Sequence, residues 1–287
     1  MDLVEAIIGL IGAAIGFSIS YFIERHNRRR NKHEKAIEIA KEFENVLSSG
    51  DFRVEVIYSD ILNELKLMEK LKFLENIDNK STIYFDKKEL MENIGEEGIK
   101  KYEDFINPQN TKFIKIIAQS KYNEKNNEMF FNKLIRDFDD KMTVRQNIDE
   151  ISRKLKEPNE SRDDEKPEEI ENVNNQMLSE LNSYCWDLFQ EFMEQAQNVL
   201  NKFEWMSMYF VTGIADSDYV YKSLHQFYFS FVKSMYVKIS NINDRESYDN
   251  YYTNITALFI DWKKKYSKEK EKFNKAYTKL NKTSKKV

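Results

Sequence analysis

The apolar positions of this chain fall into three patterns, and the first is nearly unbroken. Leu3 to Ile23 carries a single charge, Glu5. As a helix the run is about 31 Å long, against about 30 Å for the hydrocarbon core of a bilayer, so it predicts one transmembrane span. A secretory signal would place positive charge before the run and a small-residue cleavage site after it. Here Asp2 and Glu5 lead, and Tyr21, Phe22 and Ile23 close the run, so an uncleaved anchor is expected. A buried core helix is the competing reading; such stretches are shorter and are not followed by a basic block.

The second pattern alternates spacings of three and four. Met177, Leu181, Tyr184, Leu188, Phe192, Gln195, Val199, Phe203, Met206 and Phe210 hold it without a break, which predicts one long helix with a coiled-coil-like seam. A second helix carries Val220, Leu224, Phe227, Phe231, Met235 and Ile239. A third carries Tyr248, Tyr252, Ile255, Phe259, Trp262, Tyr266, Phe273 and Leu280. Gly213 is placed to end the first helix in a left-handed conformation and Asp216 or Ser217 to cap the second, so residues 212–218 read as a helical-hairpin turn. Asn241, Asn243 and Asp244 supply turn chemistry at the next corner. The expectation is an antiparallel three-helix bundle of long helices over 172–282 with an internally complete core.

The third pattern, between anchor and bundle, is irregular. Ile57, Ile61, Leu65, Met68, Leu71 and Leu74 predict an amphipathic helix, separated from the juxtamembrane one near Ser48, Ser49 and Gly50. Phe52, Val54 and Val56 alternate as a strand would, but no second alternating run exists to pair with them. Residues 86–94 and 96–106 read as short helices broken by Gly95 and ended before Pro108. Phe131, Leu134, Phe138, Met142, Ile148, Ile151 and Leu155 suggest one or two more.

Composition narrows the fold class to all-α. Seven glycines and three prolines in 287 residues leave little turn material for a sheet protein, and 33% charged residues suit long amphipathic helices. One cysteine, Cys185, precludes an intramolecular disulfide and a cysteine zinc cluster.

Charge sets the topology. Arg25, Arg28, Arg29, Arg30, Lys32 and Lys35 follow the apolar run, and positive residues stay inside. The expected protein is therefore a single-pass inner (plasma) membrane protein, amino terminus outside, later segments cytoplasmic, with the cations against anionic lipid headgroups. Gly12, Gly16 and Ser20 share one helix face, a small-residue stripe that allows close packing of two spans and hence a homo-oligomer. Residues 157–171 hold eight acids and two bases with Pro158 and Pro167, and read as a solvated linker. From Lys263 to Val287, eleven lysines face only Glu269 and Glu271, a net of +9. The expected domains are thus an anchor over 1–24, a basic juxtamembrane and irregular helical region over 25–156, the linker, the bundle over 172–282, and a basic tail over 283–287.

Catalytic signatures are missing. Asp137, Asp139 and Asp140 form one carboxylate cluster and Asp216 with Asp218 another; caps and solvated faces account for both. Glu171, Glu180, Glu191 and Glu194 lack the Glu-x-x-His pairing of di-iron bundles, since the bundle's one histidine is His225. Cys185 has no histidine or cation at helical spacing to activate it. There is no phosphate loop, nucleophile elbow or zinc spacing. The expectation is no enzyme, no metal and no cofactor.

The run VLNKFEWMSMYFVTGIADSDYVYKSL, followed after a further helix by DNYYTNITALFIDWKKKY, resembles an uncharacterised family of bacterial single-span proteins known only as a domain of unknown function. There a helix with an N-x-x-E-like pattern ends in a short glycine and aspartate turn and continues into helices closing with an aromatic and basic segment. The resemblance covers about the last hundred residues and implies a membrane-anchored helical module, without an activity or a catalytic residue. The expected function is a membrane-tethered interaction or scaffold protein with an unidentified cytoplasmic protein partner. A membrane effector or sensor of a bacterial stress or phage-response system is the alternative. Nucleic-acid binding by the lysine tail is a further one, disfavoured because the tail lacks arginines and base-reading architecture.

Overall fold

The computed structural model describes residues 3–48, 52–78, 80–122, 168–246 and 250–284; within its helices the side chains of 3–19, 44, 47–48, 121–122, 168–178, 180–181 and 279–284 lie outside that description. Among the described residues every regular element is helical. In chain order they are α1 (Leu3–Ser48), α2 (Val54–Glu64), α3 (Lys87–Phe105), α4 (Thr111–Tyr122), α5 (Glu168–Val211), α6 (Ser217–Ile242) and α7 (Thr253–Ser284), with a 3-10 turn at Lys70–Glu75 after α2. The all-α expectation holds.

α5, α6 and α7 meet along the seam that their spacing marks out. Leu188, Phe192, Val199, Phe203, Met206 and Phe210 of α5 are buried against Val220, Phe231, Met235 and Ile239 of α6 and Ile255, Phe259 and Trp262 of α7. Phe203 stacks on Phe231 with ring centroids 3.7 Å apart.

These helices do not close a core by themselves, contrary to expectation. Ala36, Ile39, Phe43 and Val46 of α1, again spaced by three and four, are buried as a fourth wall. The Phe43 ring lies edge-on to Phe203 at 4.8 Å and to Tyr228 at 5.9 Å. α2 and α3 pack on α6, and α4 packs on α5. Phe52, Tyr58 and Phe113 each set a ring against Phe192. One continuous hydrophobic core therefore runs from Ala36 to Trp262. Apolar stripes identify which helix faces need cover, but not which faces cover one another.

Several boundaries differ from expectation for local reasons. Glu168 to Glu171, assigned to the linker, already belong to α5. Phe52 and Val54 are both buried, which mimics strand alternation, but α2 starts at Val54. The helix expected through Leu74 stops at Glu64, where Lys66 adopts φ 57° and the Leu67 N–H donates to the Leu62 carbonyl at 2.8 Å. Gly95, at φ 78°, kinks α3 into the two expected halves, with its positive φ suited to glycine. α7 begins only at Thr253, behind Tyr252 at φ 59°, and Asn241 lies inside α6, leaving Asn243 as the corner residue. Asp137, Asp139, Asp140, Tyr248 and the apolar positions from Phe131 to Leu155 lie outside the described residues.

Among the described residues no helix is long and apolar enough to cross a membrane. The run expected to do so falls largely on the part of α1, residues 3–19, whose side chains lie outside the description.

Candidate functional site at the basic end of the bundle

The hairpin between α5 and α6 is built as its residues dictate. Gly213 takes φ 71°, its N–H donating to the Phe210 carbonyl at 3.1 Å, and the Ala215 N–H donates to the Tyr209 carbonyl at 3.0 Å. Asp216 then caps α6: its Oδ1 accepts from the Asp218 and Tyr219 N–H groups at 3.0 and 3.2 Å, satisfying donors that the first helical turn leaves open.

The same aspartate ties the hairpin to α1. Its N–H donates to the Lys32 carbonyl at 3.2 Å, and its Oδ2 lies 3.1 Å from His33 Nε2. The His33 ring stacks on Tyr219 at 4.5 Å. One turn further on, Lys35 Nζ sits over the Tyr209 ring at 5.0 Å and donates to Glu38 at 2.7 Å; that bond raises the Lys35 pKa above its ordinary value. α7 is pinned at the same level. Trp262 Nε1 donates to Ser217 Oγ at 2.7 Å, and Lys265 pairs with Asp218 at 2.5 Å. One turn of α1, the hairpin tip and one turn of α7 thus form a single end of the body.

Beyond that end, two helices continue without cover. Arg25, Arg28, Arg29, Arg30 and Lys32 are all exposed on α1, as is Ser20. Arg28 pairs with Glu24, and Arg30 with Glu34 at 3.3 Å. The surroundings of Gly12 and Gly16, partners of Ser20 in the small-residue stripe, lie outside the described residues. On α7, residues 268–278 are exposed, and Phe273 and Tyr277 stack on each other 6.3 Å apart.

The opposite end holds polar groups that the apolar pattern does not reveal. Asp86, 2% exposed, caps α3 through the Glu89 N–H at 2.8 Å and binds Arg245 through both oxygens, at 2.6 and 3.1 Å. Burial works to raise its pKa, but the Arg245 guanidinium and the backbone N–H donors outweigh burial and hold it below the usual carboxylate range. Glu89 accepts from the Tyr84 N–H at 2.6 Å, from the Phe85 N–H and from the Tyr236 hydroxyl at 2.7 Å; burial nevertheless pushes its pKa up. Asn243 donates to the Phe85 and Tyr251 carbonyls at 3.1 and 3.0 Å. Glu204 of α5 accepts from the Asn254 and Ile255 N–H groups at 3.0 and 2.9 Å, capping α7 from a neighbouring helix. No sequence signal marks Glu204, because Asp249, Asn250 and Thr253 offer ordinary cap residues beside the start of α7.

Among the described residues no histidine, cysteine and carboxylate group is arranged to hold a metal ion. Asp216 and Asp218 are both engaged at the hairpin, Glu191 and Glu194 are exposed, and the side chains of Glu171 and Glu180 lie outside the described residues. Cys185 is buried. His225 bonds through Nδ1 to the Tyr221 carbonyl at 2.9 Å and stacks on that tyrosine's ring. No family model, no curated protein and no solved structure matches the chain.

Proposed function

We infer that the chain is a membrane-tethered helical interaction protein, anchored by Leu3–Ile23 with the body on the cytoplasmic side of the inner membrane and without a catalytic role. The observation that carries this reading is the continuity of α1: the helix that starts in the apolar run is the one that buries Ala36, Ile39, Phe43 and Val46 in the core. Between those parts lie Arg25, Arg28, Arg29, Arg30 and Lys32, the cations that retain a segment on the inner face and meet anionic headgroups. Gly12, Gly16 and Ser20 are the proposed contact between two spans, and a cytoplasmic protein is the proposed partner of the body.

Carbonate extraction and paired topology reporters test it. The full chain is expected to stay in the membrane pellet at high pH, and a reporter active only in the cytoplasm, fused after Val287, is expected to give signal. Release into the supernatant overturns the anchor, and signal from a periplasmic reporter overturns the orientation.

The same continuity also supports the effector or sensor reading, because a helix without a break couples body and span. Loss of membrane potential on overproduction, abolished by a break at Lys32→Pro, separates an effector from a passive tether.

A further inference from the structure

We propose that the carboxy-terminal arm of α7, beyond Tyr266, binds anionic lipid at the same membrane surface that α1 enters. The proposal rests on the anchor reading and adds a second point of contact.

Direction is the first argument. α1 runs antiparallel to α5, with Phe43 beside Phe203 and Lys32 at the far end of the hairpin. α7 runs parallel to α5, with Ile255 at Glu204 and Trp262 against Phe210. The amino-terminal part of α1 and the carboxy-terminal part of α7 therefore leave the body from the same end.

Reach is the second. Along α1, Ile23 lies about 14 Å beyond Lys32 at the helical rise. Along α7, Phe273 lies about 12 Å and Tyr277 about 18 Å beyond Lys265, the residue level with the hairpin. The stacked pair thus reaches the depth of Tyr21 and Phe22, where aromatic rings sit at a bilayer interface. α7 runs on to Ser284, about 28 Å beyond Lys265, so the arm is long enough to reach that depth.

Chemistry is the third. Past Tyr266 the chain has Lys268, Lys270, Lys272, Lys275, Lys279, Lys282, Lys285 and Lys286 against Glu269 and Glu271. At 100° per residue, Lys268, Lys272 and Lys275 face away from the stripe that holds Phe273 and Tyr277. That stripe continues the seam of Ile255, Phe259 and Trp262 past the point where the body ends, leaving Phe273 69% and Tyr277 58% exposed. A helix with an aromatic face and a lysine face is an interfacial binder drawn to anionic headgroups.

The test uses the full chain with a Phe273→Cys substitution carrying an NBD fluorophore, and separately Ser18→Cys. Each is reconstituted in phosphatidylcholine vesicles with a spin-labelled quencher lipid, with and without about 30% phosphatidylserine. Cys185 is buried, and the unsubstituted chain serves as the labelling control. The expected result is quenching at position 273 several-fold stronger with phosphatidylserine. It should be lost in about 0.5 M NaCl, where the Debye length is a few ångströms, and in a Lys268→Glu, Lys272→Glu, Lys275→Glu variant. Quenching at 18 but not at 273 overturns the arm and leaves the anchor standing; quenching at neither overturns both. Equal, salt-insensitive quenching in both vesicle types overturns the charge basis. An NBD shift on adding poly(U) RNA, with none on adding anionic vesicles, overturns the proposal in favour of nucleic acid.

Discussion

The two halves of α7 obey the same spacing and meet different fates. Ile255, Phe259 and Trp262 are fully buried, whereas Phe273 and Tyr277 on the same stripe stand in solvent. α1 repeats the contrast in reverse chain order, with Ala36, Ile39, Phe43 and Val46 buried and residues 20–32 exposed. Helical periodicity therefore states which face seeks cover; a partner decides whether cover stabilises anything. Burial contributes free energy in proportion to the apolar area removed from water, so the arms owe the fold little and remain available to another surface.

The largest expected effect breaks the covered half. Phe203→Asp places an unpaired charge between Phe43, Phe231 and Tyr228 and is expected to cost about 4 kcal/mol or more, abolishing cooperative melting of the full chain. A variant that melts like the parent would show that this face is not buried in one chain.

Next comes the start of α7. Glu204→Ala leaves the Asn254 and Ile255 N–H groups without their acceptor and is expected to cost about 2 kcal/mol in urea unfolding, with Glu204→Gln costing about half as much. Equal stability of all three proteins would remove the cross-helix cap from the account.

A smaller effect depends on pH. Burial lowers the pKa of Lys238 and Lys263 to about 8 each, and Lys263 Nζ lies 4.2 Å from the centre of the Phe229 ring. An unfolded lysine stays protonated to about pH 10.4. Between about pH 8 and 10 the unfolded chain thus binds more protons, and stability rises with pH. Above about pH 10 the trend reverses, because burial holds Tyr58 and Tyr228 protonated in the folded chain while unfolded tyrosines ionise. Lys263→Met is expected to remove about 1 kcal/mol of that rise, read from urea midpoints across the window. An unchanged slope would show the amine to be solvated.

The smallest effect concerns the uncovered half: Phe273→Ser with Tyr277→Ser is expected to shift unfolding by less than about 0.5 kcal/mol. A loss comparable to that of Phe203→Asp would collapse the contrast between the two halves.

What could be read from the sequence was local. Gly213 and Asp216 were identifiable because turn and cap chemistry is a matter of one residue and its next few neighbours. The α5 to α7 seam was identifiable because spacings of three and four repeat along it. The fourth wall was not, since Ala36, Ile39, Phe43 and Val46 form a short stripe with no mark of its partner. Nor were the pairings of Asp86 with Arg245 and of Glu89 with Tyr236, which join residues more than a hundred positions apart. Such polar contacts depend on which chain ends the fold brings together, and no periodicity encodes that. The break at Lys66 is hidden in the sequence for a related reason: a 3-10 turn keeps apolar residues about three apart, so Leu71 and Leu74 continue the apparent helix.

The continuity of α1 also fixes an angle. At 100° per residue, the face holding Gly12, Gly16 and Ser20 lies about 160° around the axis from the face of Ala36, Ile39, Phe43 and Val46. Two copies joined back to back through the small residues would therefore carry their bodies on the outer sides of the pair, clear of each other. Because no hinge interrupts the helix, turning the amino-terminal part of α1 about its axis would swing the body through the same arc, as a crank turns with its shaft.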